Sequence, residues 1–202
     1  MSKPDFLSLL NPEITWPEKG DKLFVAPGRE PDEGILTPHT WTRLVLMADG
    51  YREAADKLVD AVAAESFLQS TVVYPIIFLY RHFLELELKY VLETYGHHFD
   101  GEADWNSHKL TDLWKKVRPI IEKTAGNGTD AHGSNDAVEA CIKEMSAADP
   151  MSFSFRYPVE KDGKPMVLTF ETVDLINLRK TMKKISNYFS GLDGLLDSWM
   201  KG

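Results

Sequence analysis

The chain has 202 residues, of which 43% are hydrophobic and 27% charged, and 31 acidic against 23 basic side chains give a formal net charge of −8. This composition excludes a disordered polymer and suits one globular domain with a substantial core. The acidic balance argues against broad, non-specific binding to nucleic acid or anionic membrane, both of which depend on neutralising phosphate, but leaves room for a local basic site. A single cysteine, Cys141, excludes an internal disulfide framework and suits a reducing compartment, so a cytoplasmic location is expected.

Residues 1–36 hold five prolines and three glycines, which leaves no room for a long helix. They read as an irregular N-terminal arm lying over the rest of the chain, with a short strand at Leu23–Val25 and no apolar run of signal-peptide length. Residues 37–202 read as a single helical-bundle domain. Its first helix opens at Thr37, a good N-cap with Pro38 in the tolerated first position. An apolar seam of Trp41, Leu44, Ala48, Tyr51, Ala55, Leu58 and Val62 alternates gaps of three and four, as a partnered helix requires.

The second helix spans about Ser70–Tyr95, with Pro75 in its first turns or at a kink. From Ile76 to Leu92 apolar residues cover most of its circumference, the pattern of a helix at the centre of a bundle. Its most apolar stretch, Val72–Leu79, is about half the length of a membrane span, so no membrane partner is expected. A third helix starts at Asn106 or Ser107 and carries Leu110, Leu113, Trp114, Val117 and Ile121. The glycine- and asparagine-rich tract 124–136 reads as a flexible connector, followed by a short helix over about Asp136–Met145.

The period then shortens. Phe153, Phe155, Tyr157 and Val159 alternate with polar or small residues, and Asp162–Gly163 separates them from Met166–Phe170. Alternation around such a dipeptide predicts a tight hairpin. The last helix starts near Thr172 with the seam Leu175, Leu178, Met182, Ile185, Phe189, Leu192, Leu196 and Trp199, and Gly191 and Gly194 are positions where it could break. The expected fold class is mainly α: an antiparallel helical bundle with a small β-hairpin, about 153–170, before the last long helix.

The candidate site lies on the spine helix. At about 100° per residue, Arg81, His82, Glu85 and Lys89 share one arc while apolar side chains fill most of the rest. Arg81 and Lys89 can each pair with Glu85 at i,i+4 spacing. The commonest explanation of such an arc is a solvated stripe of ion pairs. The alternative is a polar seam in a groove, where a cation meets phosphate or backbone. Glu87 points elsewhere and reads as peripheral.

His97, His98 and His108, with Asp100, Glu102 and Asp104 between them, lack a recognised ligand spacing, so no metal site is expected. Cys141 reads as a structural thiol. No glycine-rich phosphate loop or nucleophile elbow is present, so no cofactor is expected and enzymatic activity stays open. Basic side chains at Lys115, Lys116 and Arg118, and at Arg179, Lys180, Lys183 and Lys184, read as polar helix faces that could also line an RNA cleft.

The segment FLYRHFLELELKYVLETYG, followed by SHKLTDLWKKV, resembles the core helix pair of HEPN-like domains, through Glu85-Leu86-Glu87-Leu88-Lys89 and His108-Lys109-Leu110 within about residues 70–123. The resemblance implies an antiparallel bundle, often a homodimer, of the kind found in bacterial toxin–antitoxin, defence and nucleotide-linked systems. Many members are metal-independent RNases that use an arginine and a histidine a few residues beyond it. This chain departs from that pattern: none of its arginines has a histidine four to six residues downstream, and Arg81 is followed directly by His82. The expected function is therefore a dimeric HEPN-like module binding RNA, a nucleotide or a protein partner. The alternatives are a divergent RNase, with Arg81, His82 and His108 as catalytic candidates, and a non-catalytic scaffold or immunity-type protein.

Overall fold

A computed structural model describes residues 16–25, 28, 33–99, 101–125 and 133–201. The chain falls into two compact units, Met1–Leu36 and Thr37–Gly202. In the first, Glu18 to Asp21 form a turn, with Asp21 N–H donating to the Glu18 carbonyl (3.1 Å) and Glu18 N–H to Asp21 Oδ2 (2.7 Å). Leu23–Val25 forms no strand.

The second unit contains five α-helices among the described residues: α1 (Thr40–Ala64), α2 (Gln69–Tyr95), α3 (Leu110–Ala125), α4 (Ser134–Ala148) and α5 (Leu175–Lys201). α1 starts two residues later than its proline suggests, and its cap residue is His39. α5 runs unbroken through Gly191 and Gly194 because Met182, Ile185, Phe189, Leu192 and Leu196 bury one continuous stripe that outweighs the glycine penalty. No helix is long and apolar enough to cross a membrane. Most of the 124–136 connector lies outside the described residues.

α2 is the spine. From Ile76 to Tyr95 it buries thirteen side chains, ten of them hydrophobic and three charged (Arg81, Glu85, Lys89). α1 packs against it through Leu44, Ala48, Ala55 and Val59, α3 through Leu110, Leu113, Val117 and Ile120, and α5 through its stripe. Trp41 and Trp199, at the outer ends of two predicted seams, are half exposed.

Tertiary hydrogen bonds give the helix directions. Tyr80 Oη donates to Asp56 Oδ1 (2.6 Å), Arg179 pairs with Asp60, and both Tyr90 and Tyr95 donate to Asp193 (2.9 and 2.5 Å). α1 thus opposes α2, and α5 runs alongside α2 in the same sense. Trp114 and Arg118 bond Glu139, and Arg118 also pairs with Asp136, so α3 and α4 are antiparallel. Between α2 and α3 the segment 96–109 doubles back. The 3-10 turn Gly96–His98 starts it, and Gly101 N–H donates to the Gly96 carbonyl (2.9 Å). A Cβ at Gly96 would run into the Gly101 carbonyl, which explains glycine there. This return carries His108 down beside the middle of α2.

The predicted hairpin is corrected to a turn without strands. Gly163 at φ 84° makes the reversal, closed by Glu160 N–H to the Lys164 carbonyl (2.8 Å) and Met166 N–H to the Pro158 carbonyl (2.9 Å), but pairing stops at one antiparallel bridge, Val159 to Pro165. Pro158 and Pro165 have no N–H to extend the ladder. The alternating aromatic run is instead coiled: Arg156 and Tyr157 N–H both donate to the Phe153 carbonyl (3.1 and 3.2 Å). Asp149 Oδ1 caps that turn through Phe153 N–H (2.7 Å) and Ser154 N–H (3.0 Å).

Candidate functional site

The arc read from the sequence is not solvated. Arg81, Glu85 and Lys89 are buried at 0%, 2% and 3% exposure, because α3, α4 and the 96–109 return close over this side of α2. Burial of four formal charges demands mutual pairing and complete hydrogen bonding. Two cations, Arg81 and Lys89, face two carboxylates, Glu85 and Asp149, and the sum is neutral.

Each contact ties a different element to α2. Arg81 Nη1 donates to Glu85 Oε2 (2.9 Å), Nε to the Asp149 carbonyl at the end of α4 (3.0 Å), and Nη2 to the His108 carbonyl before α3 (2.5 Å). Its Nε also lies 3.4 Å from Asp149 Oδ2. Lys89 Nζ donates to Glu85 Oε1 (2.9 Å) and lies over the Trp105 ring at 5.3 Å. His108 Nδ1 meets the same Oε1 at 2.9 Å.

Burial alone would raise the Glu85 carboxyl, but hydrogen bonds from Lys89, His108 and Arg81 overturn that and hold it at about 2. Ionised Glu85 can only accept, so His108 Nδ1 carries the proton and donates. Its Nε2 remains for other work, on a side chain 48% exposed. The residue borders an open cleft of about 870 Å³ lined also by Phe153, Arg156, Tyr157, Glu160, Lys161 and Asp162. Arg156 is fixed by Nε donating to the Ser152 carbonyl (2.5 Å) and by its guanidinium over the Phe78 and Tyr157 rings (5.6 and 5.7 Å). Asp162 is paired with Lys164 at 2.7 Å.

Arg81, Glu85, Lys89 and His108 are therefore brought together, and His82 is not among them. His82 packs edge-on against Tyr51 (4.5 Å) and stacks on Phe78 (5.8 Å), the ring beneath Arg156. Burial is the main reason its imidazole is shifted down, towards the neutral form. Asp149 and Arg156 escape a sequence reading. The one available signal was Asp149–Pro150 directly after an apolar helix, a pair that favours a turn.

Of the other basic clusters, Arg118 pairs with Glu122, Asp136 and Glu139, Lys116 donates to the Glu102 carbonyl (3.2 Å), and Arg179 pairs with Asp60, while Lys180, Lys183 and Lys184 line an open cleft of about 580 Å³ together with Asp56 and Asp60. Among the described residues no group of three or more His, Cys, Asp or Glu side chains could hold a metal ion, and Asp100 lies outside them. Cys141 is half buried, and burial pushes its thiol up. None of the protein-family models, curated proteins or solved structures compared with the chain matches it.

Proposed function

We propose that the chain is a HEPN-like helical module that binds RNA in the His108–Arg156 cleft, in a toxin–antitoxin or defence type of setting. The observation that carries this reading is His108 itself: one ring nitrogen is tied to a buried, ionised carboxylate, and the residue, half exposed, borders a cleft with Arg156 and Lys161. An anchored imidazole beside a guanidinium and an ammonium suits a phosphodiester. Arg81, Glu85 and Lys89 are sealed from ligand in this reading and act as positioning residues.

The test is fluorescence anisotropy with a labelled RNA at several salt concentrations. Arg156→Ala is expected to weaken binding about tenfold and to flatten the salt dependence by about one charge. Absence of RNA binding by the wild-type chain at low salt overturns the proposal.

A second reading, metal-independent RNA cleavage, is favoured by the Glu85–His108 contact, which holds imidazole in the orientation a general acid or base needs. Arg156 would then stabilise charge on the phosphate. Cleavage in chelator that is lost in a folded His108→Ala variant supports it; tight binding without cleavage leaves a binding module.

A homodimer belongs to the same proposal. The HEPN resemblance supports it, as do the exposed Trp41, Val45, Leu46 and Met47 of α1. Sedimentation equilibrium is expected to give twice the chain mass at micromolar concentration; a monomer there removes this part.

A further inference from the structure

α4 and α5 meet where Tyr188 Oη donates to Asn135 Oδ1 (2.6 Å), close to the start of α4. Towards the end of α4 and the start of α5 a partly open cavity of about 350 Å³ separates them. Its floor belongs to the core: Ile77 and Leu84 of α2, with Met182 and Ile185 of α5, are each 3% exposed or less. Packed interiors leave few voids larger than a water molecule, and small-molecule pockets start at about 300 Å³.

Both lips of the cavity are held. One is the segment 170–174: Phe170 stacks on the buried Phe155 (centroids 6.2 Å apart, planes at 23°), and Asp174 Oδ1 accepts Asn177 N–H (2.9 Å) at the start of α5. The other is α4, which contributes Cys141, Glu144 and Met145 and is braced from α3 by the pairing of Arg118 with Asp136 and Glu139. Braced lips make this a preformed cavity, as small-molecule sites usually are.

The charge of the lining is one-sided. Glu144 and Asp174 are its acids, and no lysine, arginine or histidine lines it. Lys180, Lys183 and Lys184 belong to the other cleft that Asn177 and Thr181 border, with Asp56 and Asp60. Among the described residues Glu144 makes no ion pair, while the adjacent Lys143 is taken by Glu139. An anionic head group would meet two carboxylates with no cation to offset them. An ammonium would find an unpaired carboxylate.

We infer that this cavity binds a small apolar amine, its hydrocarbon body on the Ile77, Leu84, Met182 and Ile185 floor and its ammonium head at the rim beside Glu144. The cavity shares no lining residue with the His108–Arg156 cleft, so the inference stands apart from the RNA reading. Affinity comes from taking the hydrocarbon chain out of water, and the carboxylate supplies the choice among head groups.

Isothermal titration calorimetry at pH 7 tests it with three probes that share an eight-carbon chain: octylamine, octanol and octanoate. Octylamine is expected to bind about tenfold more tightly than octanoate, with octanol between them. Glu144 is exposed, so Glu144→Gln leaves the fold alone; it should bring octylamine to the affinity of octanol without changing octanol itself. Cys141 is the only cysteine of the chain, and its alkylation by N-ethylmaleimide, followed by mass spectrometry, reads occupancy at the cavity wall. Octylamine at ten times its dissociation constant should slow that reaction about tenfold. Failure of all three probes to bind overturns the cavity as a ligand site. Equal affinity for octylamine and octanoate, or a preference that survives Glu144→Gln, overturns the amine, and binding that leaves Cys141 alkylation unchanged overturns the location.

Discussion

Arg81→Met is expected to destabilise the fold by about 3–5 kcal/mol, the range for removing one partner of a buried ion pair. Methionine fills most of the volume, so little of the loss is a cavity. The cost lies in what the guanidinium leaves behind: a Glu85 oxygen, the Asp149 and His108 carbonyls, and Asp149 Oδ2, which is buried with no hydrogen-bond partner and only the Arg81 charge beside it. The Glu85 oxygen and both Asp149 oxygens are shut away from water, the His108 carbonyl only in part, and no other donor to them is seen among the described residues. Urea unfolding followed by circular dichroism measures the loss; a change below about 1 kcal/mol would show that the network contributes little.

Arg81→Lys should recover only a small part of it. A lysine supplies the charge, but its single nitrogen cannot reach α4, the loop before α3 and Glu85 at once, as the three guanidinium nitrogens do. Two consequences separate this network from ordinary core packing. The turn 149–157 and the loop carrying His108 are both fastened through Arg81, so hydrogen exchange should accelerate at both together in either variant. The proposed RNA binding should fall along with them in the folded Arg81→Lys variant, although Arg81 lies buried away from the cleft.

What the sequence revealed follows the range over which each signal acts. Helices α1 to α5 were legible because an apolar stripe at helical spacing is a local property, and α2 stood out because its apolar residues run all the way round. The convergence of Arg81, Glu85 and Lys89 could be placed on one arc from spacing alone. Whether that arc faced water could not, because the elements that bury it arrive from the 96–109 return and from the end of α4. His82 shows the limit: about 100° from Arg81 on a helical wheel is enough to put it between Tyr51 and Phe78 instead. The hairpin failed for a similar reason. Alternation in Phe153–Val159 predicts a strand, but Asp149, four residues upstream of the run, captures the Phe153 and Ser154 amides and winds the chain, while two prolines block the ladder.

Glu87, which the sequence marks as peripheral, is expected to yield the other large effect: Glu87→Gln should stabilise the fold by about 2–3 kcal/mol at pH 8 and by almost nothing at pH 4. It is largely buried on α2, and burial, followed by the Asp49 and Asp193 carboxylates, pushes its carboxyl up from 4.5 to about 7, with Arg52 acting in the opposite sense. Arg52 is already shared with Asp49, Glu53 and Asp56, so it offsets only part of the cost, and Asp193, held as an acceptor by Tyr90 and Tyr95, adds to it. A carboxyl raised on folding favours the neutral form: its contribution is complete below the unfolded value near 4.5 and is lost as pH rises through 7. Glutamine mimics the neutral form at every pH, so the variant gains only where the wild type must ionise a buried acid. Glu85 works in the other direction, since its lowered carboxyl contributes above 4.5 and loses that contribution as pH falls towards 2. The two together place maximum wild-type stability in mildly acidic solution and predict that Glu87→Gln extends the plateau to alkaline pH. Thermal unfolding across pH 4–9 measures this, and a wild-type–variant difference that does not change with pH would mean Glu87 titrates as an ordinary surface acid.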